Sequence, residues 1–233
     1  MKKKVYTILD FETDGLNVNT LSPIQFGALA VDPNKLEIIP NSEFYSWSRP
    51  DDIEDPNYYN NHKATVDFHL KNYNITLEAF LTKLKESPPE KTVFQNFDNY
   101  LSRYHTKHTS QTIFSAPTLV TFNGFAFDYP ILDKLCKKYN RVDKDGNQNL
   151  YFTRDCIDIL KIVGLWFTPL DDISSLSMDS IRDYMGLSKA GSHDSLVDVR
   201  QEAQILIKFL RLHEQLAKKI SFKGAFSKET ANV

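Results

Sequence analysis

Residues 5–11, VYTILDF, constrain this chain more than any other stretch. The segment is β-rich and apolar at successive positions, so a strand built from it must be covered on both faces. Such a strand belongs at the centre of a sheet with helices outside it. A second strand is predicted over residues 24–31 (IQFGALAV). After the turn residues Asp32-Pro33-Asn34-Lys35, residues 36–47 read as a third, and the three are expected to form an antiparallel meander. From Thr76 the apolar period becomes helical, through Leu77, Phe80, Leu81 and Leu84. Ser87-Pro88-Pro89 stops that helix, and Val93, Phe97, Leu101 and Tyr104 mark the next. Residues 118–122 read as a fourth strand, followed by a helix carrying Ile131, Leu132, Leu135 and Tyr139. A short strand near residues 151–156 precedes helices over 158–166, over 177–185 with Gly186 as its stop, and over about 195–212. The expected fold class is therefore α/β: a mixed five-stranded sheet, three antiparallel strands first, with helices on both faces.

The length of 233 residues is ample for one buried core, and no internal repeat or shift of composition divides it. One domain is expected over residues 1–215, with a basic, flexible tail over 216–233. Lys and Arg total 28 against 30 Asp and Glu, a formal net charge of −2. Affinity for nucleic acid would then come from a local patch or bound metal rather than from overall charge. Two cysteines, Cys136 and Cys156, exclude a disulfide scaffold and a four-cysteine zinc site. No apolar run approaches the ~18 residues of a membrane span. The basic-then-apolar start, Met1-Lys2-Lys3-Lys4 and residues 5–9, is too short for a signal peptide. A cytoplasmic protein with no membrane association is expected, in which the sequon Asn74-Ile75-Thr76 carries no meaning.

Three groups of residues carry chemistry. Asp10 and Glu12 stand two apart at the end of the first strand, so their side chains share one face. Carboxylates that close repel unless a cation neutralises them, and strand ends of α/β sheets are where ligands bind. The same pair at a solvated strand end would mean nothing. Asp128 falls where the fourth strand passes into its helix, a place that taken alone is more often a helix cap than a ligand. His193 precedes the last helix and Asp198 lies in its first turns. Five residues at ~100° each do not share a helix face, so His193 is expected on a loop, free to approach whatever Asp198 holds.

Taken in order, Asp10-x-Glu12, Asp128 and His193-x-x-x-x-Asp198 resemble the signature of the DEDD superfamily of 3′→5′ exonucleases, in its histidine branch. The sister branch, with tyrosine four residues before the last aspartate, is excluded by Asp194. The resemblance covers roughly residues 5–210. Smaller stretches agree with it. The run from Asp10 to Leu16, DFETDGL, looks like the family's first motif. Tyr73-Asn74-Ile75-Thr76 is similar to its Gly-Ile-Thr segment, with Asn for Gly, the natural replacement at a positive φ. Phe122-Asn123 stands where many members have His-Asn, and Ser195 replaces a usual Ala. Pro23-Ile24-Gln25-Phe26, residues 154–158 and residues 193–199 lean toward the exonuclease I type, which acts on single-stranded DNA.

The resemblance implies an RNase H-like fold. It also implies two divalent cations, Mg²⁺ or Mn²⁺, held by Asp10, Glu12, Asp128 and Asp198, with Asp10 between them. Hard cations prefer carboxylate oxygen, and a pair ~3.5–4 Å apart suits phosphodiester hydrolysis. His193 is implied as the general base, histidine being the side chain that changes charge near neutrality. The substrate would be the 3′ end of single-stranded DNA, with RNA as the alternative, released as nucleoside 5′-monophosphates. Thr13, Asp14, Gly15, Leu16 and Asn123 are implied as substrate contacts, with Leu16 either a wedge against the last base or an ordinary packed leucine. Tyr45, Trp47, Tyr58, Tyr59, Phe68 and Tyr73, with Lys63, Lys71 and His69 nearby, either stack on a single strand or belong to the core. A homodimer and a polymerase or repair partner are both compatible with the family. The further domains with which exonuclease I embraces its strand have no counterpart here, so low processivity is expected. The rival reading is a non-catalytic nucleic-acid-binding module on the same fold, against which the five intact site residues argue.

Overall fold

The computed structural model describes residues 3–168, 173 and 175–221. Its strands are β1 (Tyr6–Thr13), β2 (Pro23–Asp32), β3 (Glu37–Ile38), β4 (Phe44–Trp47), β5 (Thr118–Thr121) and β6 (Ile157–Asp158). Its helices are α1 (Tyr58–Asn61), α2 (Lys63–Tyr73), α3 (Leu77–Glu86), α4 (Glu90–Ser102), α5 (Asp128–Lys138), α6 (Ile159–Phe167), α7 (Met178–Met185) and α8 (Ser195–Lys219). All the strands belong to one mixed sheet. The doubly apolar β1 sits inside it, antiparallel to β2 on one side and parallel to β5 on the other. β6 continues the parallel side, and β3 and β4 both pair with β2.

The expected third strand is thus two. Pro40 has no amide to give a ladder, and Asn41 turns the chain at φ 56°. Ser42 stands in for the missing strand, its hydroxyl accepting from Ala30 N at 3.1 Å and facing Ala30 O at 3.3 Å. The sheet therefore has five ranks and six strands. The short strand expected over 151–156 is displaced to Ile157–Asp158, because Thr153–Asp155 close a 3-10 turn in which Cys156 N donates to Thr153 O. Tyr151 goes into the core beside Tyr129 instead of into the sheet. α1 and α2 lie where the sequence carries no steady apolar period, and α2 buries just Val66 and His69. α8 continues to Lys219, past the domain end expected at 215, and residues 222–233 of the expected tail lie outside the described residues.

The alternation of β1 divides the core. Ile8, with Leu29, Val31 and Val120, packs against α6, α7 and α8, while Leu9 and Phe11, with Phe26 and Ala28, pack against α4 and α5. Helices cover both faces, as a doubly apolar central strand requires. No helix among the described residues is long and apolar enough to cross a membrane.

Candidate active site

β5 pairs with β1 only from Tyr6 to Ile8, while β2 accompanies β1 as far as Thr13. Beyond Ile8 the β5 side of β1 is open, and there Asp10 and Glu12 point to the face on which α8 packs. The strand edge is closed by a side chain: Phe11 N donates to Asp128 Oδ1 at 3.2 Å. Asp128 is the first residue of α5 and is 4% exposed. Asp128 is thus a helix-start carboxylate that also closes the strand edge.

α8 brings in the remaining residues. Asp194 caps it, accepting from Leu196 N at 3.1 Å and Val197 N at 3.3 Å. The start of α8 lies directly on β2 at Gly27. A Cβ there would stand 2.5 Å from the Ser195 carbonyl carbon and 2.9 Å from Ser195 Cβ. Gln25, fully buried on β2, accepts from Ser195 N at 3.1 Å and donates to Tyr73 Oη at 2.9 Å. Tyr73 in turn donates to the His193 carbonyl at 2.7 Å. His193 itself has φ 69°, a left-handed conformation that a non-glycine residue keeps only when its neighbours impose it. Its amide donates to Asp198 Oδ2 at 3.2 Å, and its ring meets Phe68 edge-on at 4.7 Å. The ligating atoms of Glu12, His193 and Asp198 consequently lie within 4.8 Å of one another.

The electrostatics are severe. Burial, then the charges of Glu12, Asp128, Glu202 and Asp198, push the Asp10 carboxyl well above the usual range. Burial, then Asp198 and Asp128, does the same to Glu12. Burial raises Asp128 to about 7 against the opposing hydrogen bond from Phe11 N. Asp198 is also raised by burial, with Arg182 working against it. Arg182 is itself buried and donates to Asp198 Oδ1 at 2.5 Å, to Asp179 Oδ1 at 2.9 Å and to Gln201 Oε1. Asp10 Oδ2 is buried without a hydrogen-bond partner. One guanidinium beside several desolvated carboxylates, of which Asp10, Asp158 and Glu202 each keep an orphaned oxygen, leaves a deficit that divalent cations suit.

A cavity of about 330 Å³ opens beside Glu12, lined among others by Phe11, Thr13, Leu16, Phe68, His69 and Phe127. Leu16 is 80% exposed at its mouth, so it is not an ordinary packed leucine. Of the six aromatic residues singled out in the sequence, Phe68 lines this cavity. Tyr58 is core, Trp47 packs on Tyr73 and Phe80, and Tyr73 is tied to His193. Lys63 is engaged by Asp67 and Tyr59. Asp14 faces inward and is fully buried, accepting from Ser22 N at 2.6 Å and Tyr58 Oη at 3.1 Å. The Thr13 carbonyl faces His69 Nε2 at 2.8 Å. Asn123 is exposed at φ 62° just after β5, with its amide donated to Asp158 Oδ1 at 2.8 Å.

Three residues of the site, Arg182, Asp158 and Glu202, were not singled out as such in the sequence, and Tyr73 was singled out for stacking rather than for its hold on His193. Arg182 gives no local signal of its role. Asp158 is legible as the cap of α6, accepting from Leu160 N. Glu202 lies one helical turn after Asp198, a spacing that puts both on the same face.

A buried carboxylate cluster on the open edge of a central strand, beneath a mixed sheet of this order, defines the class of the protein. The sequence model of the RNase H superfamily matches residues 78–196. The chain belongs to that superfamily. No curated protein matches it in sequence. Among solved structures it is similar to E. coli exonuclease I in complex with a dT13 oligonucleotide, with TM-score 0.64 at 14% identity over 93% of this chain and 43% of that one. It is also similar to a 3′-exonuclease solved in 3′-end specific recognition of a histone mRNA stem-loop, with TM-score 0.61 at 17% identity over 91% and 83% of the two chains. Cell-death related nuclease 4 superposes with TM-score 0.61 at 17% identity over 90% of this chain and 64% of its own. The chain thus spans less than half the length of exonuclease I.

Proposed function

We propose that this protein is a metal-dependent 3′→5′ exonuclease that trims single-stranded nucleic acid, DNA faster than RNA, to nucleoside 5′-monophosphates. The observation that carries the reading is the convergence of Glu12, His193 and Asp198 within 4.8 Å, next to Asp10 and Asp128 on the open edge of β1. The fold shared with exonuclease I and the histone mRNA 3′-exonuclease supports it.

Asp10, Glu12, Asp128 and Asp198 would hold two Mg²⁺ or Mn²⁺ ions. Divalent cations here would supply water activation and charge relief at the leaving 3′-oxygen. Everything else falls to the chain itself. His193, held by Tyr73 and Asp198 through its backbone, leaves a ring nitrogen to take the proton of the attacking water. Phe68 and Leu16, which both line the cavity, offer apolar faces to the terminal base. Thr13, which lines the cavity, would contact the terminal nucleotide together with Gly15 and Asn123. Asp14 contributes by bracing that loop on Ser22 and Tyr58.

The test is degradation of 5′-labelled and 3′-labelled single-stranded DNA and RNA with Mg²⁺, Mn²⁺ or EDTA. Labelled mononucleotide should leave the 3′-labelled strand first, only with metal present, and Asp10→Asn should abolish the reaction. Release from the 5′ end first, or near-wild-type rates in Asp10→Asn, would show the reading to be wrong. A tenfold preference for RNA in kcat/KM would reassign the substrate and leave the chemistry standing.

A further inference from the structure

The D-x-E, D and H-x-x-x-x-D pattern accounts for four carboxylates; outside it lie Asp158, which caps α6, and Glu202. Glu202 is 2% exposed, and its Oε2 is buried with no hydrogen-bond partner. It follows Asp198 by four residues on α8, so the helix aims both at β1. It lies within electrostatic reach of Asp10, Asp128, Asp158 and Asp198. The cation near it is Arg182, whose guanidinium is already hydrogen-bonded to Asp198, Asp179 and Gln201. Three carboxylate oxygens here are buried without a donor: Asp10 Oδ2 on the strand, Glu202 Oε2 on α8 and Asp158 Oδ2 at the cap of α6. A buried carboxylate oxygen without a donor calls for a proton or a cation. The orphan on Asp10, which belongs to the candidate metal set and lies within electrostatic reach of Glu202, points to the cation.

We propose that Glu202 is a fifth metal-directed carboxylate, a ligand, direct or through one water, of the divalent ion that Asp10 and Asp128 face. This rests on reading the site as a metal centre and adds to it a residue outside the signature. Glu202 would raise the affinity of the site for that ion and keep it in place when no phosphate is bound.

The experiment is titration of the full chain with Mn²⁺ alone, by calorimetry and by electron paramagnetic resonance, for wild type, Glu202→Gln, Glu202→Asp and Asp10→Asn. Removing a group that supports a metal site usually weakens affinity by about 10–100-fold, and that is the loss expected for Glu202→Gln. Glu202→Asp, which keeps the charge but withdraws it by one methylene, should fall between Glu202→Gln and wild type. The rise in Tm caused by saturating Mn²⁺ should shrink in the same order. Mn²⁺ affinity within twofold of wild type in Glu202→Gln, with Asp10→Asn clearly weakened, would overturn the assignment and make Glu202 a buried protonated acid. If Asp10→Asn also bound Mn²⁺ normally, the metal centre itself would fall, and this inference with it.

Discussion

Gly27→Ala tests whether the start of α8 is placed by direct contact with β2. The added Cβ would stand 2.5 Å from the Ser195 carbonyl carbon and 2.9 Å from Ser195 Cβ, whereas ordinary contacts fall at 3.4–4 Å. β2 cannot retreat, because β1 and β4 pair with it on both sides at this level: Gly27 is opposite Asp10 and Tyr45. The strain is therefore relieved by α8, whose N-terminus must move by roughly 1 Å, the shortfall from ordinary contact in a close-packed interior. That movement stretches the bond from Ser195 N to Gln25 and carries His193 and Asp198 away from Glu12. Overpacking of this kind costs about 1–3 kcal/mol, which for a chain of this size lowers Tm by roughly 2–12 °C. A misplacement of about 1 Å can cost on the order of 10²-fold in kcat. The assays are thermal unfolding and single-strand degradation. Gly164→Ala serves as control: its Cβ meets Leu176 Cδ1 at an ordinary 3.5 Å inside α6, and alanine there should stabilise by roughly 0.5–1 kcal/mol. A Gly27→Ala protein with unchanged Tm and unchanged kcat would refute the idea that this contact sets the site.

Arg182→Met leaves Asp198 in an acidic pocket without its guanidinium, and loss of one partner of a buried pair costs about 3–5 kcal/mol; Mg²⁺ should restore part of the lost Tm, and a cost below about 1 kcal/mol would remove Arg182 as the counter-charge. Stability of the metal-free protein should fall as pH rises from 5 to 8, because the folded state keeps protons on Asp14 (about 6), Asp128 (about 7) and the raised Asp10 and Glu12 that the unfolded chain has already released. This stability is complete below the unfolded carboxylate range and lost as pH rises through about 6 for Asp14 and about 7 for Asp128, and a metal-free Tm that is flat with pH contradicts the electrostatics. His193→Ala should lower kcat by roughly 10²–10⁴ while Mn²⁺ affinity survives, and a loss confined to KM would move His193 from proton transfer to binding.

Much of the architecture was legible because it depends on neighbours in sequence. The β1 segment, with apolar side chains on both faces, demanded cover on both and received it. The two-residue spacing of Asp10 and Glu12 placed both carboxylates on one face whatever the rest of the chain did. Asn74 takes the left-handed conformation expected of it, at φ 51°, ψ 47°, where it ends α2. Ser177 and Gly186 bound α7 as a cap and a left-handed stop do elsewhere. Such features follow from local sterics and periodicity, which a sequence carries intact.

What the tertiary structure decided has no local cause. The split of the third strand depends on Ser42 meeting Ala30 across β2, and the position of β6 on where β5 ends. Asp14 reads as part of a loop motif but turns inward, because Ser22 and Tyr58 are there to receive it. The support of His193 by Tyr73 spans 120 residues, and that of Ser195 by Gln25 spans 170. Arg182 and Glu202 acquire their meaning only when α7 and α8 close over Asp10 and Asp128, since desolvation and mutual repulsion arise from packing, which the order of residues does not state.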